Sequence, residues 1–135
     1  KGKARKLYQQ ALDISKNYTP ALNNLAYLYV GNYGKIDEAL ELAMKAFRND
    51  PWNPNVLDTL GYVLLKKGRA GEAVHLLKKA ASLLDDNPIV VRHLALAYKA
   101  LGKAAMADQL LKNARKPKSL PDAIPLKGIN EKLSS

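Results

Sequence analysis

The chain has 135 residues, of which 47% are hydrophobic and 25% are charged, a composition typical of folded globular proteins. It has no cysteine, which excludes disulfides and thiolate metal sites, and no apolar run approaches the roughly 18 residues that span a membrane. The net charge of +10 is spread along the chain, which argues against nucleic acid as the main partner and suits an acidic protein partner.

The first predicted element is a helix near residues 3–16, in which Ala4, Tyr8 and Ala11 lie at helical spacing. An equivalent set of residues recurs 35 positions later, so we interpret this helix as the second half of an incomplete repeat. The chain is therefore expected to be part of a longer array. Its unpaired N-terminal edge would be apolar and could support self-association.

Three helix pairs follow, with a step of 34 or 35 residues between equivalent positions. Gly34, Gly68 and Gly102 separate the two helices of each pair, as expected where a left-handed residue ends a helix. One extra residue between Tyr29 and Gly34 predicts a longer or distorted first turn. The predicted helices are 20–32, 35–48, 54–67, 70–83, 88–101 and 104–115.

The pattern is lost after Ala114, where the sequence predicts a linker and then a helix that begins after Pro121 and caps the array. The expected organisation is an array over 1–115 and a linker with a capping helix over 116–135. Within the array the predicted units are a half repeat at 1–18 and repeats at 19–53, 54–87 and 88–115.

These residues resemble the tetratricopeptide-repeat (TPR) family, whose pattern is W-x2-L-G-x2-Y, then A-x3-F, then P. No copy here has the tryptophan, and the second and third copies lack the closing proline. The three copies are Leu22-x2-Leu25-Ala26-x2-Tyr29 with Ala39-x3-Ala43 and Pro51, Leu57-x2-Leu60-Gly61-x2-Leu64 with Ala73-x3-Leu77, and Val91-x2-Leu94-Ala95-x2-Tyr98 with Ala107-x3-Leu111.

The resemblance implies an all-α, right-handed superhelical solenoid of antiparallel helix hairpins. The implied function is a protein–protein interaction scaffold that binds a peptide segment or a partner surface in its concave groove, without enzymatic activity or cofactor. The alanine-rich copies resemble bacterial arrays, including large envelope proteins, and so favour the bacterial cell envelope or periplasm.

In proteins that the chain resembles, the first helix of each repeat lines the groove. Tyr27 and Tyr62 occupy equivalent positions there and are expected to stand side by side, with Leu96 next in the row. The basic residues in this set predict a preference for an acidic or C-terminal segment. The candidate groove residues are Asn23, Asn24, Tyr27, Asp58, Thr59, Tyr62, Lys66, Arg92, His93, Leu96 and Lys99.

One TPR subclass binds acidic chaperone termini through a two-carboxylate clamp of Lys, Asn, Asn, Lys and Arg. The corresponding residues here all differ from the clamp, which argues against that specific function. They are Asn23, Tyr27, Thr59, Ile89 and His93.

Sequence motifs for chemistry are absent. His75 and His93 are the only histidines, and neither has a second ligand at helical spacing, so no metal or catalytic site is predicted. Trp52 lies between two repeats, and its predicted role is to pack its indole against a neighbouring helix, with an exposed partner contact as the alternative. Single-stranded RNA binding and a self-associating structural role remain alternative functions.

Overall fold

The computed structural model describes residues 2–115, and all of the regular structure in this part of the chain is helical. The prediction of an all-α fold is confirmed. The helices are α1 (Gly2–Ile14), α2 (Thr19–Leu28), α3 (Ile36–Asn49), α4 (Pro54–Lys66), α5 (Ala70–Leu83), α6 (Pro88–Ala100) and α7 (Ala104–Arg115), with a π-helical turn (Tyr29–Tyr33) after α2.

Consecutive helices pack as hairpins, α2 with α3, α4 with α5, and α6 with α7. Helix α4 also contacts α2 and α6, so the first helices of the three hairpins lie side by side. Helix α1 packs on α2 in the position predicted for the second helix of an incomplete repeat. The chain is thus a solenoid of helix hairpins. None of its described helices is long and apolar enough to cross a membrane.

Asparagine and proline together begin two of the first helices. The side chain of Asn53 accepts a hydrogen bond from the backbone N–H of Asn55 at 3.0 Å, and Asn87 accepts one from Ile89 at 2.9 Å. Each asparagine is followed by a proline at the first helical position, Pro54 or Pro88, where a missing N–H leaves no intrahelical bond unmade.

Glycine ends the first helix of every hairpin in the left-handed conformation, with φ of 63° at Gly34, 90° at Gly68 and 76° at Gly102. Only glycine adopts such φ values without a steric cost from Cβ, so the predicted role of these glycines is confirmed.

The π-helical turn absorbs the extra residue of the first repeat. The backbone carbonyls of Leu64 and Tyr98 accept from the N–H five residues later, at 2.9 and 2.8 Å. The equivalent carbonyl of Tyr29 accepts at 3.1 Å from Lys35, which is six residues later. A π-turn accommodates one additional residue in a helix, and the predicted distorted turn is confirmed in this form.

Small residues lie where helices cross. The alanines of the repeat pattern, Ala39, Ala73 and Ala107, are fully buried, which permits close approach of neighbouring helices. Gly61 in α4 is a further small residue at such a crossing, and a Cβ added there would lie 2.6 Å from Cγ of Leu77 in α5.

The linker and capping helix at 116–135 lie outside the described residues. Trp52 was expected to be packed against a helix, and this is wrong, since the side chain is 67% exposed. The loop holds the indole away from the core, and the ammonium group of Lys79 in α5 lies 4.4 Å from its ring centroid.

Candidate functional site

The groove face is the side of α2, α4 and α6 that carries Tyr27, Tyr62 and Leu96. Because equivalent positions of neighbouring first helices lie next to one another, the two tyrosines meet with ring centroids 5.6 Å apart and planes tilted by 31°. This confirms that they stand side by side. Leu96 is 41% exposed in α6, and Tyr27 is equally exposed in α2.

A buried histidine and aspartate lie beneath this aromatic row. Nδ1 of His93 donates a hydrogen bond to Oδ1 of Asp58 at 2.8 Å, joining α6 to α4. The His93 ring stacks on Tyr62, with centroids 4.2 Å apart and planes 19° from parallel. The pair therefore fixes the orientation of Tyr62 from below and ties the second repeat to the third.

Arg92 and Asp58 also act electrostatically on the Tyr27 hydroxyl. Burial raises the pKa of Tyr27 above its ordinary value of 10.0, Tyr62 and Asp58 raise it further, and the Arg92 guanidinium lowers it. Tyr27 is consequently a neutral hydroxyl at physiological pH, able both to donate and to accept a hydrogen bond.

The exposed charges of the predicted groove residues are all positive. They belong to Lys66, Arg92 and Lys99, whereas Asp58 is only 8% exposed. The ammonium group of Lys66 lies 5.4 Å from the Tyr62 ring centroid. An aromatic surface bordered by cations is suited to a ligand that combines an apolar side chain with an anion.

Burial separates the eleven predicted site residues into two groups. The exposed or half-buried members are Asn23, Asn24, Tyr27, Tyr62, Lys66, Arg92, Leu96 and Lys99. The structure buries Asp58, Thr59 and His93, which corrects the expectation that they face a ligand. Their side chains lie below the surface because α4 and α6 pack closely at this level, so they support the groove face rather than line it.

One polar atom at the N-terminal end of this set lacks a partner. Oδ1 of Asn23 is enclosed and accepts no hydrogen bond in the described structure. A buried acceptor without a donor costs about 1–3 kcal/mol, so rearrangement of this amide on ligand binding would meet little resistance.

The described residues contain no group of three or more side chains suited to hold a metal ion. His93 and Asp58 form a pair that resembles acid–base machinery, but His93 is 5% exposed and covered by Tyr62. A reactant would have to displace the tyrosine ring to reach it.

Comparison with known proteins identifies similar chains. The chain is 30% identical over 69 residues to a TPR repeat-containing protein of Pseudomonas aeruginosa. It is 33% identical over 66 residues to the photosystem I assembly protein Ycf3 of Prochlorococcus marinus. A solved structure of MamA from AMB-1 superposes with a TM-score of 0.67 at 29% identity over 82% of this chain. The chain is therefore similar to tetratricopeptide-repeat (TPR) proteins.

The TPR assignment rests on partial matches, and no family model matches the chain. The P. aeruginosa match covers 51% of this chain and 12% of that protein, and the Ycf3 match covers 47% of this chain and 38% of Ycf3. The chain spans 64% of the MamA structure. A second MamA crystal structure, at 17% identity and a TM-score of 0.68, shows the shared fold alone.

The sequence signal for the His93–Asp58 pair was present but incomplete. In the TPR alignment His93 is equivalent to Thr59, the residue after Asp58, so the two side chains lie one position out of register on neighbouring helices. Their 35-residue separation is one residue more than the 34-residue step between the second and third repeats. Repeat spacing indicates that they are neighbours, but only the packed helices show that their side chains meet.

Proposed function

We propose that this TPR array is a protein–protein interaction module and that its groove face binds a segment of a partner protein. The observation that carries the proposal is the exposed Tyr27 ring beside Tyr62, held in place by the buried His93–Asp58 pair. Rigid aromatic side chains that keep a polar hydroxyl are common anchors in protein interfaces, because little conformational entropy is lost when they bind.

The name of one relative is consistent with this proposal. Ycf3 is named as an assembly protein for photosystem I, and assembly requires contact with other protein chains. The shared TPR fold supplies the side-by-side first helices on which the groove face depends. The partner of the present chain is identified by neither relative, since each match covers only part of the chains compared.

The role proposed for the groove face is binding without catalysis. His93 and Asp58 are covered, and their contacts have a structural purpose that already accounts for their presence. No cofactor is invoked, since a peptide-binding surface of this type requires none.

The test uses matched double variants in an affinity capture followed by quantitative mass spectrometry. Tyr27→Ala/Arg92→Ala removes one ring and one cation from the groove face. Tyr18→Ala/Lys78→Ala removes one exposed tyrosine and one exposed cation elsewhere. Tyr27 is a better target than Tyr62, because truncating Tyr62 would also expose His93.

Partners that the wild type captures should be lost with the groove variant and retained with the control variant. Each groove substitution should weaken a recovered partner by about 1–2 kcal/mol in calorimetry, the range of a moderate interface hot spot. If the control variant loses the partners and the groove variant keeps them, the groove face is not the binding surface. Full displacement by a single-stranded oligoribonucleotide, with a steep salt dependence, would favour RNA binding instead.

A further inference from the structure

The groove face is electrically asymmetric along the solenoid axis. In α2 its polar residues are the uncharged amides Asn23 and Asn24. In α6 they are the exposed cations Arg92 and Lys99. Asn23, Asp58 and Arg92 occupy equivalent positions in the three repeats, so the same site on successive helices changes from amide to buried acid to exposed base.

The apolar part of the face lies close to these cations. Tyr27 and Tyr62 meet between α2 and α4, and Arg92 is near enough to influence the Tyr27 hydroxyl. Neighbouring helix axes are typically 8–10 Å apart, and an extended chain advances about 3.3 Å per residue. A segment that crosses the groove therefore moves from one helix to the next in about three residues.

From this arrangement we infer that the groove face selects an internal, extended peptide segment that carries a large apolar side chain and, about three residues away, an aspartate or glutamate. The apolar side chain packs on Tyr27 and Tyr62, between α2 and α4, and the carboxylate pairs with Arg92 on the next helix, α6. A guanidinium takes a carboxylate through two parallel hydrogen bonds, which gives Arg92 the larger part of the selectivity for the acid.

An acidic side chain fits this face better than a chain terminus. The clamp that TPR proteins use for a terminal carboxylate needs charged and amide donors at five positions. None of the five equivalent positions keeps the residue that the clamp requires there, since the side chains are Asn23, Tyr27, Thr59, Ile89 and His93. Thr59 and His93 are also buried. Charge complementarity therefore favours one carboxylate at Arg92.

This inference rests on the proposed function, and its probe is a random-peptide library displayed on phage with the peptide C-terminus fused to the coat protein. No free C-terminal carboxylate is then available. Wild-type protein should enrich peptides with an aromatic or large aliphatic residue and an acid about three positions away. Arg92→Glu should enrich lysine or arginine at the acidic position and keep the apolar residue.

Fluorescence anisotropy measures the affinity of one selected peptide for the wild type and for the Arg92 variants. Changing its acid to lysine should weaken binding to the wild type by about 10-fold or more, and Arg92→Glu should recover most of that loss. Arg92→Gln should weaken the original peptide without favouring the lysine version. Because Arg92 is exposed, both variants are expected to fold, which circular dichroism verifies.

The outcomes distinguish this inference from the proposal on which it depends. Selected peptides that require Tyr27 but carry no acid would overturn the charge selection and leave the groove assignment intact. Peptides that bind only as free C-terminal acids would overturn the choice of an internal segment. Selected peptides that bind equally well to Tyr27→Ala/Arg92→Ala would overturn both.

Discussion

The first and second hairpins use different residues where their two helices pack against each other. In the hairpin of α4 and α5, Gly61 allows the fully buried Leu77 to approach the backbone of the opposite helix. The equivalent positions in the hairpin of α2 and α3 are Ala26 and Ala43, both fully buried. The second hairpin thus has a smaller residue on its first helix and a larger one on its second helix than the first hairpin has. The fold therefore constrains the combined volume of the two side chains more than the identity of either one.

The hairpins differ in their turns as well. The first has a π-turn that takes up an extra residue, and the second closes with the regular spacing. Tyr33 within the π-turn contacts Tyr29 edge-on, with centroids 5.9 Å apart, and Arg5 of α1 lies 5.1 Å from its ring. Tyr33, directly before Gly34, thus contacts α1, whereas Lys67, directly before Gly68, pairs with Asp37 of α3.

The largest change in stability should come from giving the second hairpin the alanines that the first hairpin has at the equivalent positions. Leu77→Ala should destabilise the protein by about 2–5 kcal/mol, because it leaves a cavity in the core. Gly61→Ala should cost about 1 kcal/mol in the wild type, since overpacking against Leu77 outweighs the better helix propensity of alanine. In the Leu77→Ala background the same change should instead stabilise by about 1 kcal/mol, because its methyl group enters the cavity.

Urea unfolding of the four proteins in this cycle measures the coupling. The matched control is Ala26→Gly in the first hairpin, which should cost about 1 kcal/mol through lost helix propensity. An equal effect of Gly61→Ala in both backgrounds would show that Gly61 and Leu77 are not a compensating pair.

The next largest loss of stability should come from enlarging a buried alanine of α5. Ala73 is fully buried at the crossing of α5 with α4, so Ala73→Leu should overpack that crossing and cost about 1–3 kcal/mol. Ala70→Leu, one turn earlier and 7% exposed near the hairpin turn, should cost less. Thermal unfolding of the two variants makes the comparison. Equal shifts in the unfolding midpoint of the two variants would show that the crossing of α5 with α4 is not centred on Ala73.

Deleting Asn32 should make the first turn resemble the second. The deletion restores the regular spacing, and the expected loss is about 1 kcal/mol because Tyr33 would shift from Tyr29 and Arg5. Helical circular dichroism should be unchanged. Deleting Lys67 from the second turn, which has no residue to spare, is the control and should lower the unfolding midpoint further. The opposite order would mean that the π-turn is not where the insertion is absorbed.

The smallest expected effect concerns the loops that follow the two hairpins. Pro51 and Trp52 follow the first without a positive φ, whereas Asp85 and Asp86 follow the second at φ of 52° and 57°. Left-handed backbone costs a residue with a Cβ about 1–2 kcal/mol, partly offset for aspartate. Asp86→Gly should therefore raise the free energy of unfolding by about 0.5 kcal/mol, after the greater entropy of unfolded glycine is deducted. A loss of stability in urea titration would indicate a favourable contact of this side chain.

The groove face shows which features can be predicted from the repeat spacing and which cannot. Equivalent positions on neighbouring helices predicted that Tyr27 and Tyr62 would be adjacent, because the repeat step alone decides which residues align. The same reasoning placed His93 and Asp58 in the groove without predicting their burial or their hydrogen bond. Trp52 was predicted to pack its indole against a neighbouring helix, and the loop instead leaves it exposed. These errors share a cause, since the depth of a side chain below the surface depends on tertiary packing, which repeat spacing does not specify.

The sequence by itself determined the helices, their hairpin turns and the order in which repeats stack. Glycine, proline and alanine act there through local backbone sterics and through a spacing that recurs along the chain. Only the tertiary structure decided which side chains of each repeat are buried. It also decided that Leu77 packs against the backbone at Gly61 and that His93 supports the Tyr62 ring from below. Those features depend on side chains from different repeats meeting in space, and the distance between packed helices is set by all of them together.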